Sequence, residues 1–293
     1  MNKLTTERRA AIVSALVEGM SVRATCRMTD TAKGTVLRLV SELGEVCAAY
    51  MDQTLVNLPC RKIQCDEIWA FTYCKDKNVT EKLAEKKKAG LVGSIWTWTA
   101  ICADTKLVPS FHVGTRDANC AYEFMVDLAG RLRGRIQLTT DGHAAYLNAV
   151  RDAFGRDIDY AMLVKLYGEG QGEEHRYSPA ECIGTRIEEI IGHPKAEDVS
   201  TSYVERQNLT MRMGMRRFTR LTNGFSRKVD NHRASVALHF MHYNFARIHQ
   251  TIRCTPAMEA GVANHPWTVE EIVGLLEQRE HAASEMERRV ILK

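Results

Sequence analysis

Asp66, Asp141 and Glu205 are spaced far apart in the chain, on segments from which their carboxylates could converge. Divalent-metal chemistry on a phosphodiester needs such a set. Two Mg²⁺ ions roughly 3.5–4 Å apart can activate an attacking oxygen and stabilise the leaving one. Mg²⁺ takes hard oxygen ligands and keeps several waters, so a few Asp or Glu side chains suffice. Asp66 sits inside the apolar run IQCDEIWAF (63–71), where a carboxylate is costly unless paired or metal-bound. Asp141 ends IQLTTD (136–141) and precedes Gly142. Glu205 shares nearly one helical face with Asn208 and Arg212. Each acid also has a plainer reading: a satisfied buried acid for Asp66, a helix N-cap for Asp141, a surface glutamate for Glu205. Glu188, Glu189 and Asp198 are rival third acids.

Other residues invite chemistry less strongly. Glu67 follows Asp66, so in a regular strand it points to the opposite sheet face and reads as structural. His143 could orient a water or a phosphate, or simply start a helix. His239, His242 and His249 could share one side of a helix, but a structural zinc site wants four ligands. The nine cysteines form no CxxC pair, which argues against a zinc ribbon or a disulfide framework and suits a reducing cytoplasm. Trp96 and Trp98 share a strand face and read as core.

The elements that must position these residues follow from hydrophobic periodicity. Residues 5–50 read as three short helices, with Thr5 and Ser21 as N-caps. A short helix, a tight turn and a helix with Lys33, Thr35 and Arg38 off its apolar stripe form a helix-turn-helix pattern, with those three side chains free to enter a major groove. A linker containing Pro59 spans 51–62. Strands follow over 63–71, 94–104 and 107–114, then a helix (118–132), a strand (136–141), a helix (143–154) and a strand (159–167). The excursion 75–90 carries six lysines against three acids and reads as a polar hairpin tip. A Gly-rich loop spans 168–179, and helices dominate from 200 onward. The expected fold is α/β: an antiparallel first trio of strands, helices on the faces, and a helical tail over 262–293. The stripe Ile272, Leu276, Ala283 and Met286 in that tail serves either self-association or the chain's own core.

The 293 residues are enough for about two domains. With 45% hydrophobic and 26% charged residues, wholesale disorder is excluded. The longest mostly apolar stretch, 90–103, is too short for a membrane span of about 20 residues. The first residues read as a surface helix rather than a signal peptide. Net charge is only +4, yet residues 203–255 hold ten basic residues against two acids. Such asymmetry suggests a polyanion on one face.

CDEIWAF, LTTDGHAAY and SYVERQNLTMRMGMRRFTRLTNGFSRK together resemble the three acidic blocks of DDE transposases of the insertion-sequence IS1 type, over roughly residues 62–261. Glu205 followed by Arg212 matches the most specific part, and DGH-x-x-Y at Asp141 also resembles that family. Two departures are visible: no cysteine zinc ribbon, and 64 positions between Asp141 and Glu205. The resemblance implies an RNase H-like catalytic domain (63–261) behind the helix-turn-helix domain (1–50). It also implies Mg²⁺ or Mn²⁺ held by Asp66, Asp141 and Glu205, with Arg212 contacting DNA near the cut. His143, Asn208, Arg216 and Arg217 would join Lys33, Thr35 and Arg38 in touching DNA. The expected partners are element terminal repeats and target DNA, bound by a homodimer or larger assembly in the cytoplasm at the nucleoid, with no membrane partner. The rivals are a catalytically inactive DNA-binding regulator and an RNase H-like nuclease without strand transfer.

Overall fold

The computed structural model describes residues 3–168, 182–219 and 222–291. Three helices come first: α1 (Thr6–Val17), α2 (Val22–Met28) and α3 (Lys33–Thr54). The Thr5 side chain accepts a hydrogen bond from the Arg8 N–H, and Ser21 accepts one from Ala24, so both expected N-caps form. Helix α3 runs to Thr54, so residues expected in the linker complete its last turns. It is held there by Met51, which is buried, and by Arg131, whose guanidinium donates to the Met51 carbonyl.

Strands β1 (Lys62–Thr72), β2 (Gly93–Cys102), β3 (Phe111–Gly114), β4 (Ile136–Thr140), β5 (Ile158–Tyr167) and β6 (Cys182–Ile191) form one mixed sheet in the order β3-β2-β1-β4-β5-β6. The first three pair antiparallel, β4 and β5 run parallel to β1, and β6 returns antiparallel. Strand β6 was not expected. Its segment, CIGTRIEEII, has exposed or half-buried side chains, as befits an edge strand, so no apolar alternation announces it. Most of the Gly-rich loop lies outside the described residues. The lysine-rich excursion between β1 and β2 is a polar tip carrying only short helical turns, including α4 (Ala84–Lys88).

Helices α5 (Ala118–Arg131) and α6 (Ala145–Phe154) cover one face, where Trp98 packs on Phe124 and Tyr146. Helix α7 (Ser202–Gly214) covers the other, meeting β1 and β2. Helix α8 (Val229–Met241) is followed by a π-helical turn (His242–Ala246). It lies against α3 so closely that a Cβ on Gly44 would stand 2.3 Å from the Ala234 carbonyl oxygen. A one-turn helix, α9 (Pro256–Glu259), leads to α10 (Val269–Ile291). Ile272 and Leu276 of α10 pack into the chain's own core, whereas Ala283 and Met286 stay exposed. Among the described residues no helix is long and apolar enough to cross a membrane.

Candidate metal centre

The β1–β4 pairing ends at Cys65 opposite Thr140, while β1 continues to Thr72. Asp66 and Glu67 are thus the first β1 residues past the point where β4 stops, and Asp141 is the residue at that stop. Their carboxylate oxygens come together within 4.8 Å of one another. Among the described residues this is the one group of three such side chains able to share a metal ion. His239, His242 and His249 form no such group.

Asp66 faces α7, where its Oδ2 accepts a hydrogen bond from Asn208 Nδ2 at 2.8 Å. Its Oδ1 accepts from the Glu67 N–H at 2.7 Å. Burial pushes the Asp66 carboxyl up to about 6, with the charges of Asp141 and Glu205 adding to the rise. Asn208, the partner of Asp66 on α7, lies one turn after Glu205.

Glu67 points to the opposite face, as strand alternation requires. One of its carboxylate oxygens nonetheless lies within 4.8 Å of oxygens of Asp66 and Asp141. Its side chain is fully buried, and Oε2 meets Arg116 Nε at 3.0 Å. Oε1 has no hydrogen-bond partner. Burial, above all, pushes Glu67 up to about 7, with Asp141 and Asp66 contributing, while the Tyr146 hydroxyl and Arg116 oppose the rise. Arg116 also lies 3.8 Å from Asp141 and stacks over the Trp96 ring. Half-buried Trp96 is therefore a platform for this arginine, while Trp98 is core, as expected.

Asp141 does not cap α6. Its Oδ1 accepts from the His143 N–H at 2.9 Å, and α6 starts at Ala145 without a side-chain cap. The His143 ring stacks on Trp98, and its Nε2 is buried without a partner. Burial and the nearby Arg116 keep His143 below its ordinary value, so it is neutral at pH 7.

Glu205 projects from the first turn of α7, but its Oε1 is held by Lys165 Nζ at 2.6 Å and by Thr201 Oγ1 at 2.5 Å. It therefore neighbours the acid group without belonging to it. The rival acids are elsewhere. Asp198 pairs with Lys62, Glu188 with Arg186, and Glu188 and Glu189 lie on the edge strand, two positions from β4 and three from β1.

Of the expected DNA contacts, Lys33, Thr35 and Arg38 are exposed at the start of α3. Arg216 is exposed on a short helical turn after α7, Arg217 donates to Ser226 Oγ, and Arg212 is half-buried. Asn208 is buried against Asp66 instead of lying open to a ligand. Sequence reasoning missed Arg116 and Lys165, which carry no spacing signal because they reach the acids from the segment after β3 and from β5, whereas Tyr146 on α6 is the Tyr of the DGH-x-x-Y pattern.

The acids fit a hard divalent cation. Octahedral oxygens around Mg²⁺, each 2.0–2.1 Å from the ion, lie up to about 4.2 Å apart. The group is within a small side-chain turn of that spacing. No protein-family model matches the chain, and no curated protein matches it.

Proposed function

We propose that the protein is a DNA transposase of the DDE type, which binds element ends and cuts and joins DNA with Mg²⁺ or Mn²⁺. The observation that carries this reading is the meeting of the Asp66 and Asp141 carboxylates where β1 and β4 part, with Asp66 bonded to Asn208 of α7, the helix that bears Glu205. The strand order, an antiparallel trio followed by two strands parallel to β1, is compatible with an RNase H-like core. The three N-terminal helices are compatible with a helix-turn-helix reader. When bound, the metal supplies Lewis-acid activation of the attacking oxygen and neutralises charge developing on the phosphate.

The chain's own residues divide the remaining work. Asp66 and Asp141 hold the cation. Asn208 fixes the Asp66 carboxylate, and Arg116 ties Asp141 to Glu67. Glu205 completes the set once Lys165 turns to a phosphate. Arg212, Arg216 and Arg217 hold the DNA backbone, while Lys33, Thr35 and Arg38 read the groove. The 3′-hydroxyl freed by cleavage attacks target DNA directly, with no covalent bond to the protein. Two ends must be cut together, so a homodimer or larger assembly acts at the nucleoid.

The engagement of Glu205 with Lys165 favours a second reading, a regulator that binds DNA without cutting it. Incubating the protein and Mn²⁺ with the DNA that flanks its own gene separates the readings. Discrete 3′-hydroxyl ends that join to a plasmid support the transposase. Binding without cutting supports the regulator, and scattered nicking without joining supports a simple nuclease.

A further inference from the structure

A cavity of about 630 Å³ lies on a different part of the surface, between the N-terminal helices and the segment that follows α7. Arg23, Lys33, Arg216, Arg217 and Arg227 line it, and no Asp or Glu does so among the described residues. Leu37 from α3 and the half-buried Phe225 ring, which also packs on Phe71, are among its apolar lining residues.

The walls are built tightly. A Cβ on Gly224 would stand 2.5 Å from the Arg216 carbonyl oxygen, so the loop bearing Phe225 is pressed onto the turn bearing Arg216 and Arg217. Gly19 takes a left-handed φ of 84° where a Cβ would be 3.0 Å from the Met213 carbonyl oxygen, seating the α1–α2 turn on the end of α7.

Two groups in the cavity are unsatisfied. The Arg217 guanidinium bonds to Ser226 Oγ but has no carboxylate partner among the described residues. Burial alone pulls it down to about 10. The residue is half-buried, and a partly desolvated cation with no carboxylate beside it favours an anion. On the floor, His239 is 6% exposed and its Nε2 has no hydrogen-bond partner. A cationic rim, a half-buried guanidinium with no carboxylate partner among the described residues, an aromatic lining residue and an orphaned imidazole nitrogen together suit a ligand with an anionic end and a planar, polar-edged body. A pocket of this size holds such a molecule.

We propose that this cavity takes up one nucleotide of a single DNA strand, its phosphate on Arg217 and Arg216 and its base between Leu37 and Phe225. The site rests on the nucleic-acid reading above and deepens it. It grips an unpaired end or an extruded base rather than the duplex.

The test is fluorescence anisotropy with a short labelled single-stranded oligodeoxynucleotide and an otherwise identical strand of abasic units. Wild type is expected to bind the abasic strand about tenfold more weakly, the size of one lost base stack. Leu37→Trp, which fills the cavity, should bind both strands alike. Arg217→Met should weaken both by about tenfold or more, as expected for a lost charge-assisted contact, and Arg217→Lys should recover part of it. Melting temperatures check that each variant folds. Equal binding of both strands by wild type overturns the pocket without any variant, as does an abasic penalty that survives Leu37→Trp. Wild type that binds no DNA at all overturns the nucleic-acid reading itself.

Discussion

Arg116 Nε stands 3.0 Å from the fully buried carboxylate of Glu67, and the same guanidinium reaches 3.8 Å from Asp141. One arginine therefore connects the acid on the α6 face of the sheet to the acid at the end of β4. It offsets part of the repulsion among three close carboxylates and fixes Asp141 from behind.

Removing that arginine leaves Glu67 buried without its cation. Arg116→Met is expected to cost about 3 kcal/mol, the low end for breaking a buried pair, because Arg116 itself is partly exposed. Glu67→Gln in the same chain should recover most of the loss. Urea unfolding of the two single variants and the double variant measures the coupling, and additive losses would show that the pair does not interact.

The acid group also sets a pH dependence. Asp66 stands at about 6 and Glu67 at about 7, both above their ordinary carboxyl values. In the metal-free protein the folded state therefore holds these protons more tightly than the unfolded chain does. Their contribution to stability is fully present below about pH 4 and is lost as pH rises through 6 to 7. The melting temperature should fall between about pH 5 and about pH 7.5, by roughly 2–4 °C for each kcal/mol lost. Asp66→Asn should flatten that fall. A curve as steep as that of wild type would mean Asp66 does not titrate in this window.

Lys165 competes with a cation for Glu205, since its Nζ lies 2.6 Å from the Glu205 carboxylate. Lys165→Met is expected to tighten Mn²⁺ binding by roughly tenfold, in line with one freed charged ligand. Glu205→Gln should remove the gain. Calorimetric titration of Mn²⁺ into wild type, the Lys165 variant and the double variant checks this. An unchanged affinity in Lys165→Met would take Glu205 out of the metal set.

The contact between α3 and α8 has no room for a side chain at Gly44, where a Cβ would meet the Ala234 backbone at 2.3 Å. Gly44→Val is expected to destabilise by about 3 kcal/mol or more through overpacking, with no effect from the equivalent change at exposed Gly34. Chemical denaturation of the two variants measures the difference.

Much of this architecture was legible because its elements carry clean patterns. The apolar run 63–71, the helices at 118–132 and 143–154, and the caps at Thr5 and Ser21 each read directly from residue order. Strand β6 was hidden because an edge strand with exposed side chains carries no buried face to betray it. The pairing of Asp66 with Asp141 was also legible, since an acid in an apolar strand and an acid at a strand end both imply a purpose. Glu67 points to the other face, as alternation predicts, and its buried ion pair with Arg116 suits a structural role. Its approach to Asp66 and Asp141 shows only in the strand register, because β4 stops opposite Cys65. The grip of Lys165 on Glu205 joins β5 to α7 across 40 positions, a distance no local pattern spans.

The most direct measurement is an anomalous-difference map from crystals soaked in MnCl₂. The account predicts a manganese peak within about 2.0–2.3 Å of carboxylate oxygens from both Asp66 and Asp141, lost in Asp141→Asn. A map with manganese elsewhere and none between those two side chains would contradict it.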